Sequence, residues 1–303
     1  MQCGDILLRK HCNLRGVISP EINVRNWAEK KTIPAWDMSE GLAHLRSSAP
    51  FDYLFSIINY RWLGADILGI PRYGAINYHD GPLPRYAGTR VTTWALMNGE
   101  TSHGITWHEM VDEVDAGRIL KQTLFTVNPN DTSGTLNFRC YVASIRSFSE
   151  LLEEMIEGAV KPVMQDLSKR TYYAYDRKPP RNGFIDWTDS DEQIHNLVRA
   201  LDFGMQRNPF GFAKTTFGVD TLSVTRSKRI ASQSGLTPGS IVELISLHET
   251  KEPGPWFRVA TGGNDLLISN LLQADGLALS RELTATLQTL PGRLRFTTPP
   301  LEL

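Results

Sequence analysis

Asn77 and His79 stand two apart in "GAINYHDGPLPRYAGTR" (74–90), a stretch that also carries three glycines and two prolines. An Asn amide can donate a hydrogen bond to a developing oxyanion. A neighbouring imidazole can act as general acid or base. A spacing of two at the end of a predicted strand sends both side chains to one side. A catalytic histidine also needs a carboxylate to orient it. "HEMVDEVDAGRIL" (108–120) offers Asp112, Glu113 and Asp115. Asp115 stands directly before Ala-Gly at a predicted tight turn, whereas Asp112 and Glu113 read as solvated charges. A structural alternative stays open: Asn77 caps the loop and His79 bonds a backbone carbonyl. His11, His44, His195 and His248 lie in predicted helices or turns with no partner motif, and read as surface or capping residues. His103, in a Ser-His-Gly turn, reads the same way.

The elements around these residues alternate between strand and helix. "LRGVIS", "DYLFSIIN" (52–59), "GAINYH" (74–79) and "HGITWHEM" read as strands, and "DYLFSIIN" as one buried on both faces of a parallel sheet. "QCGDILLRKH", "VRNWAEKKTI", "EGLAHLRS", "LGADILGI" and "RVTTWALMNG" read as helices, and "DTSGTL" (131–136) supplies N-cap residues for a long helix. This order predicts an α/β, doubly wound, Rossmann-like domain. Its ligands would sit at the carboxyl edge of the sheet, where Asn77 and His79 project. We divide the chain into a catalytic domain over 1–170, a Pro-, Gly- and charge-rich linker over 171–186, a small β-barrel over 187–275 and a tail over 276–303. In "SDEQIHNLVRAL", Ile194, Leu197, Val198 and Leu201 share one helical face. The strands after it, from "AKTTFGVDTLSVTRS" to "DLLISNL", are short, alternating and turn-bounded, as in an OB-like barrel. The stretch beyond about 281 has no strong pattern.

Composition excludes several classes. With 32 basic and 33 acidic side chains in 303 residues, net charge supplies no long-range attraction to nucleic acid or an anionic membrane. No apolar run approaches the roughly 20 residues of a membrane span. Three widely spaced cysteines, Cys3, Cys12 and Cys140, fit reduced thiols of a cytoplasmic protein better than a disulfide framework. No cluster has metal-ligand spacing, so no metal is expected. Walker A, GxSxG and strand-linked GxGxxG motifs are missing.

"NYHDGPLPRYAG", followed downstream by the Asp of "VDAG", resembles the formyltransferase family that uses 10-formyltetrahydrofolate. "HGITWHEMVDEVDAGRILKQ", "DTSGTL", "IDW" with "IHNLVRAL", "PGSIVELI" and "VATGGNDLLISNLL" extend the resemblance over roughly 15–275. It implies that an acceptor amine attacks the formyl carbon carried on N10 of the folate. Asn77 and protonated His79 would stabilise the oxyanion, and Asp115 would hold the imidazole. The folate would lie against Leu83 and Pro84, with Arg61, Trp62, Leu63, Thr89 and the backbone of Val111, Asp112, Glu113 and Val114. Within the resemblance an assembly-line aminoacyl group on a carrier protein or an amino sugar is the favoured acceptor. Methionyl-transfer-RNA formylation, hydrolysis of the formyl folate and a non-catalytic folate-binding module are the alternatives. A basic insertion after the second strand, which transfer-RNA-directed relatives carry, has no counterpart in "VISPEINVRNWAEKK". Pro82 stands where the family loop has an ordinary residue, and removes an N–H there. The family's first, central strand also has no counterpart before "QCGDILLRKH". The expectation is a chain that is a fragment, or of low thermal stability if it begins at Met1, because a missing central strand bares ladder groups on both neighbours.

Overall fold

A computed structural model of the chain describes residues 1–245, 255–273, 276–289 and 294–299. The chain forms two units: one of Met1–Val91, Ser102–Phe125 and Phe138–Tyr173, the other of Thr92–Thr101, Thr126–Asn137 and the described residues from Ala174 onward. His248 lies outside the described residues. Among the described residues no helix is long and apolar enough to cross a membrane.

The first unit starts with α1 (Gln2–Arg9), whose Asp5 in the first turn and Arg9 in the last complement the helix dipole. Then come β1 (Val17–Ile18), α2 (Ile22–Glu29), β2 (Ala35–Trp36) and α3 (Met38–Ser47). Asp37 caps α3, accepting from the Ser39 and Glu40 N–H groups at 2.7 and 2.9 Å. β1 and β2 pair in parallel as a two-stranded sheet. Next along the chain are β3 (Tyr53–Ser56), α4 (Ala65–Leu68), β4 (Gly74–His79), β5 (Ala87–Gly88), α5 (Val91–Met97), which belongs to the second unit from Thr92 on, β6 (Ser102–Glu109), β7 (Ile119–Thr126), α6 (Ser133–Ile156), which belongs to the first unit from Phe138 on, and β8 (Tyr172–Tyr173).

A four-stranded sheet runs β3-β4-β6-β7. β3 and β4 are parallel, with Ser56 opposite Asn77, but β6 runs antiparallel to β4. The sheet is therefore mixed rather than wholly parallel. β3 is its edge, so Tyr53 is exposed and Leu54 and Phe55 only half-buried, a correction to the reading of this run as buried on both faces. The central position goes to β4 and β6; His103 to His108 of β6 are all buried. Ile105 and Trp107 of β6 join Ile76, α1 (Ile6, Leu7) and α6 (Cys140, Phe148, Leu151, Leu152) in one apolar cluster. The Trp107 indole N–H donates to Ser147 Oγ at 3.0 Å, so its polar end is satisfied inside the core. Cys3, Cys12 and Cys140 are free thiols, and burial pushes the Cys3 thiol up to about 11.

The second unit contains α7 (Asp191–Ala200), β9 (Ala213–Phe217), β10 (Asp220–Arg229), β11 (Ile241–Ile245), β12 (Trp256–Val259), β13 (Leu266–Gln273) and α8 (Arg281–Thr289). Ser190 and Gln193 make a reciprocal capping box at the start of α7. The strands form an antiparallel sheet in the order β11-β12-β13-β10-β9. Its two edges are joined through one late segment: Arg295 bridges to Ser240 before β11, and Thr297 to Thr216 of β9. Among the described residues this segment thus bridges both edge strands of the sheet, as in a partly closed barrel. Leu287 and Phe296, from the stretch with no sequence pattern, are buried in its core beside Trp187, Ile194, Val224 and Ile268.

Candidate active site

β4 and β6 place the polar residues. In the antiparallel register Asn77 lies opposite His108 and His79 opposite Thr106. The side-chain period of two puts all four on one face, away from the Ile105–Trp107 core. His79 is only 4% exposed. Its Nε2 lies 2.6 Å from the Tyr86 carbonyl, which can only accept, so Nε2 carries a proton. Its Nδ1 faces Asp115 Oδ2 at 3.7 Å and Asp80 Oδ1 at 4.0 Å, distances of ion pairing rather than hydrogen bonding.

Asp115 arrives on the loop between β6 and β7 with φ 55, a left-handed conformation that Asp tolerates better than most residues. The loop folds back tightly. A Cβ on Gly117 would collide with the Glu109 carbonyl, so only glycine fits there. Gln165 Nε2 donates to the Asp115 and Gly117 carbonyls at 2.8 and 2.7 Å, and Arg170 Nη2 to the Val114 carbonyl at 2.8 Å. The Asp115 carboxylate, 8% exposed, accepts from the Gly88 N–H at 2.8 Å through Oδ2 and lies 3.3 Å from His108 Nε2 through Oδ1. Gly88 reaches it with φ 101, pressed against the Tyr173 carbonyl by the parallel pairing of β5 and β8. Burial alone would push the Asp115 carboxyl up. The charge of His79, the hydrogen bond and charge of His108 and the Gly88 N–H outweigh it and hold the carboxyl well below the usual carboxylate range.

The structure thus brings Asn77, His79 and Asp115 together. His79 bonds a backbone carbonyl, as in the structural alternative, and it also faces the carboxylate. A fourth member, His108, was not singled out by the sequence. Its Nε2 lies 3.2 Å from the Asn77 amide nitrogen and its Nδ1 2.8 Å from the Glu109 carbonyl. The signal for it was the shared face of alternate strand residues, which needs the β4–β6 register to be read.

The other expected positions are dispersed. The Arg61–Leu63 loop follows β3, and Asn59 ties it back, reaching Ser56 Oγ at 3.5 Å and the Arg61 carbonyl at 3.0 Å. Trp62 is 68% exposed and Arg61 exposed, while Leu63 is buried. Leu83 is buried too; its N–H donates to Thr106 Oγ1 at 3.2 Å and its carbonyl accepts from Gln122 at 2.8 Å. Pro84 is half-buried, and Val111, Asp112, Glu113 and Val114 are exposed. The Thr89 hydroxyl is buried with no hydrogen-bond partner among the described residues. Of the remaining histidines, His44 stacks on Trp36 at 4.1 Å and His195 bonds Ser227 Oγ at 2.8 Å. His11 is exposed after α1. His103 is not a turn residue: it is buried in β6, donating to the Asp80 carbonyl at 2.8 Å, because the strand already begins at Ser102.

Comparison with known proteins bears on this arrangement. Residues 9–151 match the family model described as formyl transferase, and residues 178–285 the one described as formyl transferase, C-terminal domain. Among solved structures, an N-formyltransferase from Helicobacter canadensis in complex with folinic acid and dTDP-3-aminofucose is similar, with 18% identity, TM-score 0.65, and coverage of 88% of this chain and 94% of that one. WlaRD, a sugar 3-N-formyltransferase in the presence of dTDP and 5-N-formyl-THF, matches with 15% identity, TM-score 0.66, and coverage of 88% and 92%. HypX from Aquifex aeolicus in complex with tetrahydrofolic acid matches with 16% identity and TM-score 0.59, over 85% of this chain and 44% of that one. At such identities the likeness is one of fold. The two domain models, matched in sequence order over most of the chain, make it a member of the formyl transferase family.

Proposed function

We propose that this formyltransferase moves a formyl group from 10-formyltetrahydrofolate to the amino group of an amino sugar. The convergence of Asn77, His79 and Asp115 at the end of β4 carries the chemical part of this reading. The acceptor class is supported by two structures of similar fold, one described with dTDP-3-aminofucose and the other as a sugar 3-N-formyltransferase.

The folate supplies an activated formyl carbon attached through nitrogen. Asn77 donates a side-chain N–H to the formyl oxygen as negative charge builds there. His79 is placed to carry the proton that the acceptor amine loses to the departing N10, so that one C–N bond forms, one breaks and the proton balance closes. To do so, its Nε2–H exchanges the Tyr86 carbonyl for the reacting group. Asp115, ionised and anchored by the Gly88 N–H, is the counter-charge for the imidazolium. Features of the chain fit a polar heterocycle: the buried Thr89 hydroxyl, without a partner among the described residues, and the exposed indole of Trp62. We assign Arg61, Trp62, Leu63, Leu83, Pro84, Thr89 and the backbone of 111–114 to holding it. Leu63 and Leu83 would act there as apolar backing, since their side chains are buried.

The test is incubation of the purified chain with 10-formyltetrahydrofolate and, separately, a dTDP-linked amino sugar, an aminoacyl carrier protein, methionyl-transfer RNA or no acceptor. Formylated product is read by mass spectrometry and folate release by absorbance. The expected result is a formylated amino sugar, with little folate release when the acceptor is left out. Equal release without acceptor would make the chain a hydrolase. Formylation of only the carrier-bound or transfer-RNA-bound amine would overturn the acceptor class.

A further inference from the structure

His108 takes no part in the chemistry proposed above, yet it touches two of the three groups that do. Its Nδ1 lies 2.8 Å from the Glu109 carbonyl. A carbonyl only accepts, so Nδ1 carries a proton in every charge state short of breaking that bond. The other nitrogen, Nε2, has two neighbours with opposite demands. Asp115 Oδ1 at 3.3 Å is a carboxylate oxygen and needs an N–H facing it. The Asn77 amide nitrogen at 3.2 Å is a donor and needs a lone pair. Nε2 cannot satisfy both.

The carboxylate has the stronger claim. A charge-assisted hydrogen bond is roughly twice as strong as a neutral one. An Nε2 lone pair turned at a buried carboxylate would be repelled by it. The two ends of an Asn amide, by contrast, have nearly the same shape, and the surrounding hydrogen bonds decide which end faces where. With a proton on Nε2, Asn77 presents its oxygen to His108 and its NH2 on the opposite side.

We infer that His108 is a positioning residue: as an imidazolium whose Nδ1–H is held by the Glu109 carbonyl, it shares its Nε2–H between Asp115 Oδ1 and the Asn77 amide oxygen, and so turns the Asn77 NH2 toward the reacting oxygen. Asp115 is divided between two histidines, Oδ2 serving His79 and Oδ1 serving His108. A neutral His108 would instead capture an Asn77 N–H. The charged and titratable groups around it are few. Asp115 faces it from the loop after β6, and His79 from β4, with the two rings edge-on at 6.4 Å. The Glu109 carboxylate, on its own strand, is tied to Arg118 by two bonds of 2.6 Å. The inference rests on the formyl-transfer reading only for the identity of the oxygen that Asn77 serves.

The experiment has one arm that needs no turnover. Ring nitrogens of His108 and the side-chain amide of Asn77 are followed by 15N–1H correlation spectroscopy in the full chain across pH. Both His108 nitrogens are expected to carry a proton while Asn77 presents its oxygen to the ring. On raising pH, Nε2 loses its proton while Nδ1 keeps its own, and the Asn77 amide signal moves in step. A neutral His108 at the pH of turnover, or an Asn77 signal indifferent to its titration, overturns the inference whether or not formyl transfer occurs. In the kinetic arm, His108→Gln lowers kcat roughly tenfold to a hundredfold, as misplacement of a reacting group does, while KM for the folate stays near wild type. The fall in wild-type kcat that tracks Nε2 deprotonation is missing in this variant. A wild-type kcat in a folded His108→Gln protein would also overturn it.

Discussion

Each unit of the molecule buries a carboxylate, and the two are satisfied differently. Asp265, in the barrel, has a side chain 1% exposed; Arg258 Nε donates to its Oδ2 at 2.8 Å and Ser234 Oγ to its Oδ1 at 3.0 Å. Arg258 is braced in turn by Glu243 at 3.0 Å and Ser232 at 2.7 Å. Asp191, at the start of α7, is likewise held by Arg229 at 2.7 Å. Asp115, in the first unit, is held by two imidazoles and a backbone N–H. Arginine stays charged throughout the physiological range, so the barrel pairs are fixed struts. Histidine changes charge near neutrality, so the charge around Asp115 can be rearranged. A buried ion pair built from arginine suits a scaffold; one built from histidines suits a site through which protons pass.

The contrast can be broken most sharply at Asp115. Asp115→Asn, which keeps the shape and removes the charge, is expected to lower kcat by about 10^3- to 10^4-fold, the scale seen when a histidine loses its orienting carboxylate. The protein should still fold, as judged by circular dichroism. Asn77→Ala comes next, with a loss of about 10^2- to 10^3-fold in kcat and little change in KM, the usual cost of one oxyanion donor. The corresponding change in the barrel should fall on stability instead. Asp265→Ala leaves the Arg258 charge without its buried partner and should cost about 3 kcal/mol, seen as faster amide exchange in β12 and β13, with activity per folded molecule unchanged. If Asp265→Ala abolished catalysis without destabilising the barrel, the division between strut and site would fail.

The smallest effect is the pH dependence of stability. The Asp115 carboxyl is held below its ordinary value, so its contribution is complete above the unfolded pKa of about 4 and is lost as pH falls through the lower folded value. The melting-temperature difference between wild type and Asp115→Asn should therefore be steady from pH 6 to pH 5 and shrink below about pH 4. A difference that instead grew on acidification would mean that the carboxyl is raised, and that burial outweighs the histidines.

Much of the site was legible because it is local. Asn77 and His79 announce a shared face through the strand period of two, and Asp115 sits before the Ala116-Gly117 turn that its loop requires. The capping residues of α7 and its Ile194–Val198–Leu201 face are equally short-range. Other features were hidden. His108 looked like one more position of an alternating strand, because only pairing with β4 puts it opposite Asn77. The run around Tyr53–Ser56 read as doubly buried, but an apolar run cannot say whether it lies at the centre or the edge of a sheet. His103 passed for a turn residue because a Ser and a Gly flank it, and the strand pairing overrode that local signal.

The sequence by itself determined the shared face of Asn77 and His79, the alternation of strands and helices that carries them, and the apolar faces of the barrel helix and strands. These depend on residue type and periodicity, which act within a few positions along the chain. Tertiary structure alone decided the direction of β6 against β4, the sharing of Asp115 between His79 and His108, and the bridging of both edges of the barrel sheet by Arg295 and Thr297. Each of these joins groups far apart in the chain through backbone pairing, and backbone N–H and C=O groups are the same at every position. Short windows of sequence therefore hold no record of which strand they will choose.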